Sequence, residues 1–159
     1  MKLADTANSE KAFQKSIEVS HQKYQDGYLG LAELYLNGHR FAEAETLARK
    51  AVDLDSNSWR ANSQLARALV ELHRASEAEP SALAAVKLKP DNATLYLLLA
   101  NIHIQLQNDR AQLDDLNNYL KLAPTGSFAA QARQQRDQLQ QFLAASKNSS
   151  ATSSPAPKP

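Results

Sequence analysis

Apolar residues recur along this chain at helical spacing, and the block that carries them itself recurs every 34 residues. Tyr28, Leu31, Ala32 and Tyr35 stand at i, i+3, i+4 and i+7, one face of a helix. Asn37-Gly38 then breaks that helix. The next stretch puts Phe41, Ala44, Leu47, Ala48, Ala51, Val52 and Leu54 on an inner side, where the small alanines let two backbones approach closely. Asp55-Ser56-Asn57-Ser58 ends the hairpin and offers N-caps to the following helix. Asp91-Asn92 and Thr125-Gly126-Ser127 do the same later, each just after a proline that cannot continue the preceding helix.

The repeat holds its register at many positions. Leu31-Ala32 returns as Leu65-Ala66 and Leu99-Ala100, and Leu54 returns as Leu88 and Leu122. Val52 becomes Val86 and Leu120, while Ala44, Ala48 and Ala51 become Ala78, Ala82 and Ala85. Polar positions follow too: His39-Arg40 matches His73-Arg74, and Glu43-Ala44-Glu45 matches Glu77-Ala78-Glu79. Self-similarity of this length predicts a stack of helical hairpins. The expected units are 24–57, 58–91 and 92–125.

The ends read differently. Ala12, Phe13, Ser16, Ile17 and Val19 resemble the second helix of a unit, but at a step of 35, which fits a one-residue insertion near Gln22-Lys23. Residues 9–23 are therefore expected to form a half-repeat whose first helix is missing, after a flexible stretch over 1–8. Residues 126–147 are expected to form a capping helix with Phe128, Ala132, Leu139, Phe142 and Leu143 as one apolar stripe, bordered by glutamines. Residues 148–159, rich in Ser, Ala, Pro and Lys without periodicity, are expected to be disordered. Pro80 falls in the first turns of a second helix and predicts a late or kinked start near Glu79.

Composition narrows the chemistry. Eighteen basic against seventeen acidic side chains give a net charge of +1, with no excess to neutralise a phosphate backbone, so no nucleic-acid partner is expected. Cysteine is absent, which removes disulfides and thiolate chemistry. No apolar run is long enough for membrane insertion. The four glycines form no phosphate loop, and no metal-ligand spacing is present. His39 and His73 occupy equivalent turns and could share a metal, but solvated turn residues are the simpler reading. His103 takes the slot of Tyr35 and Leu69 and reads as a packed, hydrogen-bonded histidine rather than a general base. Asp109, Asp114 and Asp115 read as a solvated face. No catalytic residue, cofactor or metal is expected.

With these residues in view, the chain resembles the tetratricopeptide repeat family, as a bacterial-type member or as the C-terminal segment of a longer protein. The family pattern is a large residue, Leu-Gly/Ala and Tyr, then Ala, Phe/Tyr, Ala and Pro. The first unit fills it with Tyr28, Leu31-Ala32, Tyr35, Ala44, Ala48, Ala51 and Ser56. The second has Asn62, Leu65-Ala66, Leu69, Ala78, Ala82, Ala85 and Pro90. The third has Tyr96, Leu99-Ala100, His103, Gln112, Leu116, Tyr119 and Pro124. Gln112 departs from the pattern and predicts a shifted or looser second helix there. The resemblance implies an all-α, right-handed α-solenoid that binds proteins and is not an enzyme.

In that family the first helices of successive repeats line an inner groove. Carried over by position, the partner-binding candidates are Leu29, Glu33, Leu36 and Asn37 from the first unit. The second unit gives Arg60, Ser63, Arg67, Val70 and Glu71, and the third gives Leu97, Asn101 and Ile104. Leu36, Val70 and Ile104 would form one apolar row, and Leu29 with Leu97 another, unless neighbouring helices cover them. Such a surface takes an amphipathic helix or an extended peptide. Some family members grip the acidic tail of heat-shock chaperones with Lys, Arg and Asn. Only Arg67 and Asn101 fit that pattern here, and Glu33 opposes it. The rival expectation is structural, with the half-repeat docking end-on against another copy or an upstream domain. The compartment is not set by the sequence: cytoplasmic by default, exported if a further segment precedes.

Overall fold

The computed structural model describes residues 2–20 and 25–152, and side chains over 7–20 and 25–146. Among them are eight helices: α1 (Lys2–Val19), α2 (Gln25–Asn37), α3 (Phe41–Leu54), α4 (Trp59–Glu71), α5 (Ala75–Leu88), α6 (Ala93–Gln105), α7 (Asp109–Leu122) and α8 (Ala129–Thr152). The three hairpins α2–α3, α4–α5 and α6–α7 start and end 34 residues apart. Each helix packs on its chain neighbours, while α2, α4 and α6 also touch in series. The result is an all-α solenoid with an inner row of first helices and an outer row of second helices.

Small residues hold the rows together. Ala44, Ala48, Ala51, Ala78 and Ala85 are fully buried where second helices meet first helices. The central cluster joins Ala48, Leu65, Leu69, Ala82, Leu99 and Ile102, so it runs through all three hairpins. Ser58 and Asn92 cap α4 and α6 by accepting from the amides of Ala61 and Thr94 at 3.3 and 3.1 Å.

The turn inside each hairpin is the same Schellman closure. The amides of Arg40, Arg74 and Asn108 donate to the carbonyls of Tyr35, Leu69 and His103, five residues back. The residue before each, His39, His73 or Gln107, has φ of 58°, 58° or 55°. Gly38 has no positive φ, so the left-handed position belongs to its neighbour His39.

Several expectations need correction. The flexible stretch expected over 1–8 is helical from Lys2, and residues 148–152, expected to be disordered, belong to α8, which runs to Thr152. Residues 2–19 and 129–152 contain neither Gly nor Pro, so nothing in them stops a helix. The rest of that tail, His21 and the expected insertion near Gln22-Lys23 lie outside the described residues. Pro80 does not delay α5, which begins at Ala75. The Schellman turn fixes that start, the Arg74 carbonyl accepts from the Glu77 and Ala78 amides, and Pro80 forgoes one helical bond. Gln112 does not shift α7, which keeps the 34-residue register. In the expected apolar stripe of the capping helix, Ala132 is buried together with Ala129, whereas Phe128 and Phe142 stay 54% and 59% exposed.

Candidate peptide-binding groove

The first helices stand in order α2, α4, α6, and their shared face bounds a concavity of about 960 Å³. Nine of the twelve candidate residues line it, the exceptions being Leu36, Asn37 and Ile104. The long apolar row does not form: Leu36 and Val70 are buried at 6% and 4%, while Ile104 is 45% exposed. Leu36 packs into the cluster of Leu31, Tyr35 and Ala68, so the neighbouring first helix covers it. The second row is also sunk, with Leu29 buried and Leu97 half-buried. Exposure falls instead to polar groups: Asp26, Glu33, Arg60, Arg67, Glu71, Thr94 and Asn101 are all exposed. Ser63 lies in the floor, buried, with its hydroxyl donating to the Arg60 carbonyl at 3.0 Å.

Two aromatic contributors were not among the candidates. Trp59 lines the groove from the start of α4, and its ring lies 5.6 Å from the Arg60 guanidinium carbon. Phe128, just before α8, lines both this groove and a smaller hollow beside Ile104 and Ala132. Its signal in the sequence is its position, one 34-residue step after Thr94 and in register with Asp26 and Arg60.

Near the hairpin turns, the outer row carries a set of paired charges. Arg74 bridges Glu45 of the preceding hairpin at 2.7 Å and Glu77 at 2.6 Å, and Arg49 holds Glu45 at 2.8 Å. One unit earlier Arg40 pairs with Glu43 and, at 3.3 Å, with Glu10 of α1. Glu10 thus stands where Glu45 stands in the next unit, placing α1 as a second helix. The Tyr35 hydroxyl donates to Glu10 at 2.6 Å and, with Arg40, holds that carboxyl below its ordinary range. Among the described residues, no such bond engages the side chains of Asp26, Glu33, Arg67 or Glu71 in the groove.

A separate polar cluster sits between the second and third hairpins. His103, 6% exposed, has Nδ1 2.5 Å from Asp115 and Nε2 3.2 Å from Glu79. His103 is packed as expected, but Asp115 is buried and not part of a solvated face. Burial pushes the Asp115 carboxyl up to about 6, although the imidazole beside it pulls the other way. His39 and His73 are exposed turn residues. Among the described residues no group of three or more His, Asp or Glu is arranged to hold a metal, and no helix is long and apolar enough to cross a membrane.

Comparison with known proteins agrees with this geometry. The family model for the tetratricopeptide repeat matches residues 1–58 and 63–127. The chain belongs to the tetratricopeptide repeat family. No protein of curated function matches it. Among solved structures, a crystal structure of MamA superposes with a TM-score of 0.76 at 17% identity, over 96% of this chain and 94% of that one. YrrB, described as a tetratricopeptide repeat protein with an unusual peptide-binding site, gives 0.72 at 22% identity, over 82% and 65%. The first repeat domain of Spaghetti (RPAP3), solved with an HSP90 peptide, gives 0.69 at 21% identity, over 76% and 93%. At these identities the likeness is one of fold.

Proposed function

We propose that this tetratricopeptide repeat protein is a binding module that holds a peptide or helix of a partner protein in the α2–α4–α6 groove. One observation carries the reading. The groove gathers exposed charged side chains on one concave face, and four of them, Asp26, Glu33, Arg67 and Glu71, make no hydrogen bond or ion pair among the described residues, whereas Arg40 and Arg74 at the turns of the outer row are both paired. An unpaired charge on a folded surface gains little from its own fold and is available to a partner. Two neighbours of the same fold, YrrB and RPAP3, are described with peptide sites, which supports the direction of the inference. We read the chain as a scaffold and not a catalyst.

The test compares wild type with Asn101→Trp, which fills the groove from an exposed position, after circular dichroism has verified equal helicity. A host protein that copurifies with wild type and is lost with Asn101→Trp is the expected result. Equal retention by both would move the site elsewhere.

A second reading has its own observation. α1 has the place of a second helix and packs on α2, but among the described residues no first helix of its own hairpin stands beside it, and Val19 at its end is 72% exposed. We infer from this that α1 can dock end-on against another copy or an upstream domain. Sedimentation velocity over a wide concentration range tests self-association: a single concentration-independent species would remove it.

A further inference from the structure

Across the groove the exposed charges change in a fixed order. α2 presents Asp26 and Glu33. Its neighbour α4 presents Arg60 and Arg67, with Glu71 only at its last position. α6 presents the uncharged Thr94 and Asn101, and beyond it the exposed Phe128 ring closes the row. The order follows from which repeat carries which side chain, and the solenoid lays the repeats side by side.

That order excludes uniform ligands. A wholly acidic tail that satisfies Arg60 and Arg67 also meets Asp26 and Glu33, and a wholly basic one meets the reverse conflict. Gln64 adds a second feature. It is more than nine-tenths buried in the groove floor, and its Oε1 has no hydrogen-bond donor among the described residues. A peptide main-chain N–H is such a donor once the amide turns outward.

We propose that the groove takes an extended peptide whose side chains run, in space, from basic over α2, through acidic over α4, to apolar beside Phe128. This rests on the groove reading above and specifies its ligand. Packed helices lie about 10 Å apart. Two such steps separate the axes of α2 and α6, and half a step more reaches the far side of α6, about 25 Å or roughly eight residues at about 3.3 Å each.

The test uses two synthetic peptides of that length and identical composition, one ordered basic–acidic–apolar and the other acidic–basic–apolar. Fluorescence anisotropy with the full chain is expected to give the first about tenfold tighter binding, the sum of a few exposed ion pairs. The advantage shrinks as salt rises. The double variant Glu33→Arg/Arg67→Glu, which keeps net charge, is expected to abolish the preference. Equal affinities that Asn101→Trp abolishes would overturn the charge order and leave the groove standing. Binding that Asn101→Trp does not touch would overturn both, and no binding of either peptide would overturn the charge order.

Discussion

The ring of Phe13 occupies the space that a side chain at Gly30 would need. A Cβ built on Gly30 would lie 2.3 Å from Phe13 Cε1. The pair inverts the pattern of the later interfaces, where Ala48 and Ala82 on the second helix leave room for Gln64 and Leu98 at the positions equivalent to Gly30. α1 is therefore keyed to the solenoid by one large residue entering one notch. Gly30→Ala should displace α1 at a cost of about 1–3 kcal/mol, as overpacking does. Hydrogen exchange should quicken across α1 while α4–α7 keep their protection. Adding Phe13→Ala should recover part of the loss, a coupling that a helix-propensity effect of Ala would not produce.

The three hairpin turns carry strain that glycine would relieve. A non-glycine residue in the left-handed region costs about 1–2 kcal/mol, partly offset by the greater freedom glycine loses on folding. His73→Gly and Gln107→Gly should each raise stability by roughly 0.5–1 kcal/mol in urea unfolding. His39→Gly should gain less, because His39 also meets Phe41 edge-on at 5.6 Å.

Asp115 gives the third hairpin a pH signature. Its folded value is about 6 against an ordinary 3.8, so the folded chain holds more protons than the unfolded chain between them. Its contribution to stability is present in full below that window and is lost as pH rises through it. Asp115→Asn keeps an oxygen for His103 and removes the buried charge. Calorimetry should show the variant gaining on wild type as pH rises from about 4 to about 7, set by the same window. A constant difference across that range would contradict this account.

Gln64 separates stability from binding. Leu98 fills the equivalent position in the next unit, so Gln64→Leu should fit and remove an unsatisfied buried oxygen, for a gain of about 1 kcal/mol. The same change should weaken the basic–acidic–apolar peptide. Greater stability with unchanged affinity would assign Gln64 to the fold alone.

The fold was legible because a 34-residue repeat fixes every helix once one hairpin is read, and all six repeat helices keep that step. Charge placement by helix was also legible, since Glu33, Arg67 and Asn101 follow from the repeat position alone. Depth was not. Leu36, Val70 and Ile104 are equivalent in sequence, yet Ile104 alone stays exposed, because α8 packs on α7 without coming as close to α6 as α4 comes to α2, which leaves a hollow between Ile104 and Ala132. Asp115 reads as solvated only from its charge: its repeat position is that of Leu47 and Ser81 on the inner side, where His103 and burial await it. Phe128 continues the row Asp26, Arg60 and Thr94 at the same 34-residue step, so its place in the groove is legible once the repeat is carried past residue 125.

The central claim is that the groove holds a partner's peptide. It is tested most directly by placing a photo-crosslinking residue either at Asn101, inside the groove, or at Thr46, exposed on α3 of the outer row. The protein captured by wild type should crosslink through position 101, not 46, and mass spectrometry should map the adduct to a single short segment of it. Crosslinks through position 46 alone, or at both positions equally, would contradict the groove.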